Sequence, residues 1–232
     1  MNVKELRQRY DAVAAADDMP ARFAFLTELK ASSTPDVLEF HYELLRDRAD
    51  TLLFMMLRDA FAQRGDAAAE FLVARLKKEQ DAAMRTDLLL MLGRMRRPEA
   101  LDLARSSLKD ANPQMREAAA SVLGWLAKPT DIAGLGEAVS NDRIAAVRKA
   151  AATAHSQVHD RLPKQRNALL RNLRDALKTE GDDEVAGWIV VTVQYILKKR
   201  FGLKEDIDEG ELVGDVGPAR QKCLTALDKL KL

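Results

Sequence analysis

The chain has 232 residues, of which 47% are hydrophobic and 31% charged, and its formal net charge is +1. This composition is typical of a soluble helical protein. The balanced charge excludes a global field that would attract nucleic acid or anionic lipid, and the single cysteine, Cys223, excludes an intramolecular disulfide.

Apolar spacing and helix breakers predict six antiparallel helical hairpins in chain order. The predicted pairs are 3–15 with 21–31, 36–48 with 51–63, 67–78 with 83–95, 99–109 with 114–127, 130–139 with 143–159, and 163–179 with 184–199. In the first pair, Phe23, Leu26 and Leu29 are predicted to face inward. The glycine-rich acidic segment 204–217 is predicted to be irregular. Residues 218–232 are predicted to form a helix that caps the open end of the stack.

A block near the middle of the chain repeats itself after 31 or 32 residues. Met84-Arg85, Met115-Arg116 and Val147-Arg148 open successive helical runs, and Leu92-Gly93 corresponds to Leu123-Gly124. A period of this length without strand-like alternation predicts an all-α fold, an α-solenoid of about six hairpins. We expect one domain that spans residues 1–232. Its parts are N-terminal hairpins at 1–64, the clearest repeats at 65–160, a last hairpin at 161–202, and the acidic loop with the capping helix at 203–232.

The segment 101–158 resembles the HEAT-like repeats, especially the short repeats of the phycobilin lyases. Their pattern is an aspartate and a proline or small residue, then Val-Arg, small residues and Leu-Gly. It is present here from Asp110 to Ala119, continues to Leu123-Gly124, and recurs from Asn141 to Ala151. The resemblance implies an extended surface that binds another macromolecule, without indicating which one.

The most regular polar feature is a row of three arginines, Arg85, Arg116 and Arg148. The resemblance implies that these arginines pair with turn aspartates of the same or the adjacent repeat. The aspartates available for this structural ladder are Asp81, Asp110 and Asp142. Direct contact between the guanidinium groups and a partner is the alternative.

The second helices of the hairpins are expected to line the binding face. The predicted partner-binding residues are Arg94, Trp125, Lys149 and Gln157. Tryptophan and arginine dominate binding hot spots, but Trp125 could instead fill a gap between helical layers. Trp188 lies in the most apolar helix and is predicted to belong to the core.

No metal site, cofactor or catalytic residue is predicted. His155 and His159 are four residues apart, but no third ligand has supporting spacing, and His155 is expected to point into the stack. The acidic residues of 205–215 lack the glycine position of an EF-hand and are interpreted as a solvated loop. This run comprises Glu205, Asp206, Asp208, Glu209, Glu211 and Asp215.

The sequence therefore predicts a non-enzymatic scaffold or adaptor that binds another protein, including an inhibitor or immunity-type protein. The alternative is a HEAT-like enzyme or nucleic-acid binder, similar to the alkylpurine DNA glycosylases or the bilin lyases. Basic clusters at 94–97, 171–174 and 198–200 keep nucleic-acid binding open. The charged segment 1–10 lacks the apolar core of a secretory signal, and the longest apolar stretch, 187–197, has about half of the ~20 residues needed to span a bilayer. We therefore expect a cytoplasmic protein without a membrane partner.

Overall fold

A computed structural model of the protein describes residues 2–206 and 210–232. Over these residues the chain forms α-helices and one short β-hairpin. The helices are α1 Val3–Ala15, α2 Met19–Lys30, α3 Pro35–Leu44, α4 Thr51–Ala62, α5 Asp66–Leu76, α6 Ala82–Arg94, α7 Pro98–Ser107, α8 Pro113–Leu126, α9 Ile132–Asn141, α10 Ala145–Arg161, α11 Arg166–Thr179, α12 Asp183–Leu197 and α13 Val216–Asp228. The strands are β1 Lys204–Asp206 and β2 Glu211–Val213, and single 3₁₀ turns at Pro129–Asp131 and Pro163–Gln165 precede α9 and α11. The all-α helical-repeat fold predicted from the sequence is confirmed. Over the described residues, no helix is both long and apolar enough to cross a membrane.

The chain divides into two compact units, Met1–Glu99 and Ala100–Leu232. In the first unit α2, α4 and α6 pack side by side as second helices of successive hairpins, and α1 packs on α3. In the second unit the second helices α8, α10 and α12 form one layer, while α9 packs on α11 in the other. Each unit therefore consists of two helical layers.

One capping interaction starts nearly every second helix. An aspartate or asparagine side chain precedes the helix and accepts a hydrogen bond from a backbone N–H of the first turn, which satisfies a donor that has no partner within the helix. These residues are Asp18, Asp50, Asp81, Asn112 and Asp182, before α2, α4, α6, α8 and α12. Helix α10 is preceded instead by Ile144, whose N–H donates to Asp142 at 2.9 Å. The repeat seen in the sequence thus reflects a capping residue that recurs before the second helix of nearly every hairpin.

The core of the first unit follows the predicted stripes with one exception. Leu29, Leu57 and Phe61 are fully buried. Phe23, which was predicted to face inward with Leu26 and Leu29, is 59% exposed. Arg22 takes the buried position beside it, because its guanidinium donates to the cap residue Asp50 at 2.6 Å. The prediction for Phe23 was wrong because a paired arginine, rather than an aromatic ring, occupies the inner face.

Two arginines, the buried Arg116 and the partly exposed Arg148, link successive hairpins of the second unit. Arg116 of α8 donates to both carboxylate oxygens of Asp142, at 2.6 and 2.9 Å, and Arg148 of α10 donates to both of Glu180, at 2.7 and 2.8 Å. Each arginine also donates to a carbonyl of the turn before its own helix, that of Asp110 or Asp142. Burial alone would raise the pKa of Asp142, but the hydrogen bonds from Arg116 outweigh it, so that the pKa is lower than usual.

The other members of the predicted ladder are arranged differently. Arg85 donates to the carbonyl of Glu79 at 3.2 Å, and over the described residues it has no ion pair with Asp81, which caps α6. The carboxylate of Asp110 accepts from the N–H of Asn112. Arg148 pairs with Glu180, which the sequence analysis did not include in the ladder.

A buried polar contact joins α10 to α11. The Nδ1–H of His155 donates to the carbonyl of Ala151 at 2.7 Å, and its Nε2 accepts from the amide nitrogen of Asn172 at 3.3 Å. The same amide nitrogen donates to the carbonyl of Ile132. Because the Nδ1 atom faces a carbonyl oxygen and the Nε2 atom faces an amide N–H donor, His155 is neutral and carries its proton on Nδ1. Its burial lowers the pKa to about 4.

The segment after α12 is more regular than predicted. β1 and β2 pair antiparallel, with Glu205 opposite Leu212, whereas the sequence analysis expected an irregular segment from 204 to 217. The hairpin escaped prediction because strands this short and charged leave no alternating pattern. Leu212 packs on α12 at Gly187, where a Cβ atom would lie 2.6 Å from its methyl carbon.

Helix α13 packs against α11 and α12. It buries Ala219, Cys223 and Leu227, and the Arg220 guanidinium donates to the carbonyl of Leu177 at 2.6 Å. The helix thereby covers apolar residues at the C-terminal end of the second unit, and it ends at Asp228 rather than at the last residue.

Arg116→Met should lower the free energy of unfolding by about 3–5 kcal/mol, because it leaves the carboxylate of Asp142 buried without its partner. The side chains of this pair are only 6% and 8% exposed. Urea unfolding monitored by circular dichroism measures the loss. Adding Asp142→Asn should recover part of it, since the amide oxygen still accepts from Ile144 without a buried charge. A loss below ~1 kcal/mol would contradict this role for the pair.

His155 predicts a specific dependence of stability on pH. Because its pKa is lower in the folded state than the ordinary 6.5, the unfolded state binds the proton first, and stability is lost as the pH falls below 6.5 towards about 4. Between pH 7 and pH 5 this histidine should account for about 2 kcal/mol of lost stability. His155→Leu, which restores the residue type of the equivalent Leu92 and Leu123, should reduce the pH-dependent loss by that amount in urea titrations. An unchanged loss would contradict a neutral buried His155.

Candidate functional site

The second helices of the second unit enclose a groove with a cavity of about 390 Å³. Helix α8 lines it with Glu117, Ser121 and Trp125, and the first turn of α12 with Glu184 and Val185. The floor is formed by small residues of α10, which leave room between the larger side chains. They are Ala145, Ala146, Ala150, Thr153 and Ala154, and Lys149 and Gln157 complete the lining from the same helix. We refer to this site as the second-helix groove.

Three of the four predicted partner-binding residues meet in this groove. Trp125 of α8 and Lys149 and Gln157 of α10 all line it, and each is partly exposed. The fourth, Arg94, lies in the first unit at the end of α6, where it is exposed and forms an ion pair with Asp59.

Gln157 is positioned by a close approach of α8 and α10 at Gly124. A Cβ atom at this glycine would lie 2.1 Å from the amide oxygen of Gln157 and 3.2 Å from the Cα atom of Ala154. The amide oxygen is buried and accepts no hydrogen bond within the described structure. Arg161 bonds the carbonyl of Gly124 at 3.1 Å and so fixes the end of α8 beside Trp125. One end of the groove is therefore rigid.

Lys149 is held at the other end of the groove. Its ammonium group lies 2.6 Å from Glu184 and 4.7 Å from the centre of the Trp188 ring. Trp188 was predicted to be a core residue, but it is partly exposed and supports Lys149 with its ring face. The prediction was wrong because α12, although apolar overall, shows one side to α10 and the groove.

Sequence reasoning missed two carboxylates of the groove, Glu117 and Glu184. Glu117 is exposed and has no ion pair within the part of the chain that the structure describes, whereas Glu184 pairs with Lys149. A signal for Glu117 was present, because it follows the cap residue Asn112 by five positions, as Lys149 follows Ile144. Together these groups can form ion pairs, donate and accept hydrogen bonds, and stack against an aromatic ring.

The predicted histidine pair does not converge. His155 is fully buried and bonded within the core, whereas His159 is partly exposed and lines a different cavity, at the end of α12. Over residues 2–206 and 210–232, no group of three or more histidine, cysteine, aspartate or glutamate side chains is arranged to hold a metal ion. In the acidic run, Asp208 and Glu209 lie outside the described residues, and the other four residues lie on or beside the β-hairpin.

Comparison with known proteins supports the repeat assignment. The family model for HEAT repeats matches residues 69–156. No curated protein matches the chain. A solved structure of human deoxyhypusine hydroxylase in complex with glycerol is similar at 18% sequence identity, with 97% of this chain and 96% of that chain covered and a TM-score of 0.38. The similarity to HEAT repeats therefore covers residues 69–156, which include helices α6 to α9 and most of α10.

Proposed function

We propose that this protein is a non-enzymatic scaffold and that the second-helix groove binds a segment of another protein. The observation that carries the proposal is the convergence of Trp125, Lys149 and Gln157 on one cavity. A partly exposed tryptophan beside an accessible cavity provides a large apolar contact at low conformational cost, as is common at binding hot spots.

The walls of the groove support this proposal because they are held in place before a partner arrives. The Arg116–Asp142 and Arg148–Glu180 pairs connect the hairpins that carry α8, α10 and α12. Lys149 is clamped between Glu184 and Trp188. A preorganised site loses little side-chain entropy on binding, so that more of the contact energy contributes to affinity.

The charges of the groove favour a segment with a basic side chain. Lys149 is neutralised by Glu184, which leaves the exposed Glu117 as the uncompensated charge of the lining. A lysine or arginine of the partner would meet Glu117, while an adjacent apolar side chain would contact Trp125 and the alanine floor.

The first test is an affinity pull-down from host lysate, quantified by mass spectrometry, with wild type, Trp125→Ala and a control variant. The control, Lys77→Ala with Lys78→Ala, removes exposed side chains of the first unit. We expect one protein to be captured by wild type and the control and lost with Trp125→Ala. With that protein purified, Trp125→Ala should weaken binding about tenfold or more, because truncating a hot-spot residue costs more than ~1 kcal/mol.

Two further measurements separate binding from folding. Because Trp125 is only partly buried, Trp125→Ala should reduce stability by clearly less than the ~3–5 kcal/mol typical of a core tryptophan. Glu117→Lys should weaken binding more than Glu117→Gln if the partner presents a basic group, because it replaces attraction by repulsion. If the captured proteins are the same for wild type and Trp125→Ala, the groove is not the binding site.

A further inference from the structure

A second surface of the second unit carries five exposed cations around two adjoining cavities. Three of them follow α12, one lies on α13 and one directly follows α13; they are Lys198, Lys199, Arg200, Lys222 and Lys229. The cavities measure about 670 and 330 Å³ and share Lys199 and Arg200 in their linings. We refer to this surface as the basic corner.

Within the fold, the ammonium group of Lys199 lies 5.8 Å from the centre of the buried Phe201 ring. None of the five forms an ion pair with a carboxylate over residues 2–206 and 210–232, although most arginines of the chain do. Asp228 pairs with Lys178, whereas Asp160 accepts from Tyr195 and places a carboxylate in the lining of the larger cavity. Cations at a helix C-terminus favour the helix dipole, which accounts for those after α12 and for Lys229. It does not account for Lys222, which lies in the middle of α13.

An aromatic ring stands at the wall of the larger cavity. Tyr195 is 53% exposed, and its hydroxyl donates to the carboxylate of Asp160 at 2.9 and 3.0 Å. This contact fixes the ring and leaves a face open to solvent. His159 and Gln194 line the same cavity, and the Nδ1 atom of His159 is buried without a hydrogen-bond partner within the described structure.

We propose that the basic corner binds single-stranded nucleic acid. The five cations meet successive phosphates, and one base enters the larger cavity and stacks on Tyr195. A positive track beside a fixed aromatic ring is the arrangement with which proteins bind single strands independently of sequence. The concave cavity suits an unpaired base, which a duplex does not present.

Tyr195 is the feature that favours a nucleic acid over an acidic protein segment. An acidic segment would use the five charges but has no aromatic plane to place against the ring. Every nucleotide supplies both a phosphate and a base. The proposal is independent of the second-helix groove, since none of the five cations lines that groove.

The test is fluorescence anisotropy of a labelled twelve-nucleotide oligo(dT) with the full-length protein over a range of salt concentrations. The variant Lys198→Gln/Lys199→Gln/Arg200→Gln should weaken binding at least tenfold at low salt. It should also reduce the slope of log affinity against log salt by about 2, because three phosphate contacts are lost at ~0.7 each. The matched control Lys4→Gln/Lys77→Gln/Lys78→Gln removes the same charge from exposed residues of the first unit and should bind like wild type.

Variants of Tyr195 distinguish binding of a nucleic acid from binding of an acidic protein segment. Tyr195→Ala should weaken oligonucleotide binding several-fold while leaving the salt slope unchanged, and Tyr195→Phe, which keeps the ring, should bind more tightly than Tyr195→Ala. Circular dichroism confirms that each variant is folded. The proposal is overturned if wild type does not bind at low salt or if both triple variants weaken binding equally. It is also overturned if an oligo-glutamate peptide of equal length competes as well as the unlabelled oligonucleotide and Tyr195→Ala has no effect; an acidic protein segment would then be the ligand.

Discussion

The second unit depends on one kind of interaction, the bidentate hydrogen bond from an arginine to a buried carboxylate of the following hairpin. Arg116 with Asp142 and Arg148 with Glu180 each connect a second helix to the turn that precedes the next one. A buried charge without its partner is costly, so each pair admits only a narrow range of spacings between hairpins. Because the guanidinium also binds carbonyls of its own turn, it fixes the start of its helix as well as the start of the next.

This constraint explains why small residues are placed where they are. Once the spacing of α8 and α10 is set, a side chain at Gly124 would meet Ala154 and Gln157, and one at Gly136 would meet the side chain of Asn172 at 2.5 Å. The same close packing brings His155 against Asn172 and keeps it neutral. The alanines of α10 that face the groove are not explained by close packing of helices. Ala145, Ala146 and Ala150 are at least partly exposed and, together with the buried Ala154, leave the cavity between α8 and α12 open.

The sequence predicted the helices well because each boundary has a local chemical cause. Asp81, Asn112 and Asp182 precede their helices directly, and the predicted and observed starts differ by one residue. The same spacing extends back through Asp50 and Asp18, so that the repeat of cap residues also marks the first hairpins. The predicted site residues Trp125, Lys149 and Gln157 share a groove because the repeat period places them on one helix layer. The repeat period does not predict which carboxylate pairs with each arginine. Glu180 comes after a first helix longer than the others, and its pairing with Arg148 depends on a distance in space rather than in sequence.

The net charge of the chain does not describe the charge on its surface, because many charges are paired with one another within the fold. The formal value of +1 counts Arg105, Arg116 and Arg148 together with every exposed lysine. Asp131, Asp142 and Glu180 neutralise these arginines in ion pairs, and a partner does not meet them as free cations. What remains is unevenly distributed: the second-helix groove keeps an unpaired glutamate, and the end of α12 with α13 keeps five cations. Because the field near a surface is set by its own unpaired groups within about one Debye length, ~8–10 Å, a nearly neutral chain can present two faces of opposite sign. The charge that a partner meets is the charge of the groups that remain after the internal ion pairs are set aside. These pairs are known only from the structure.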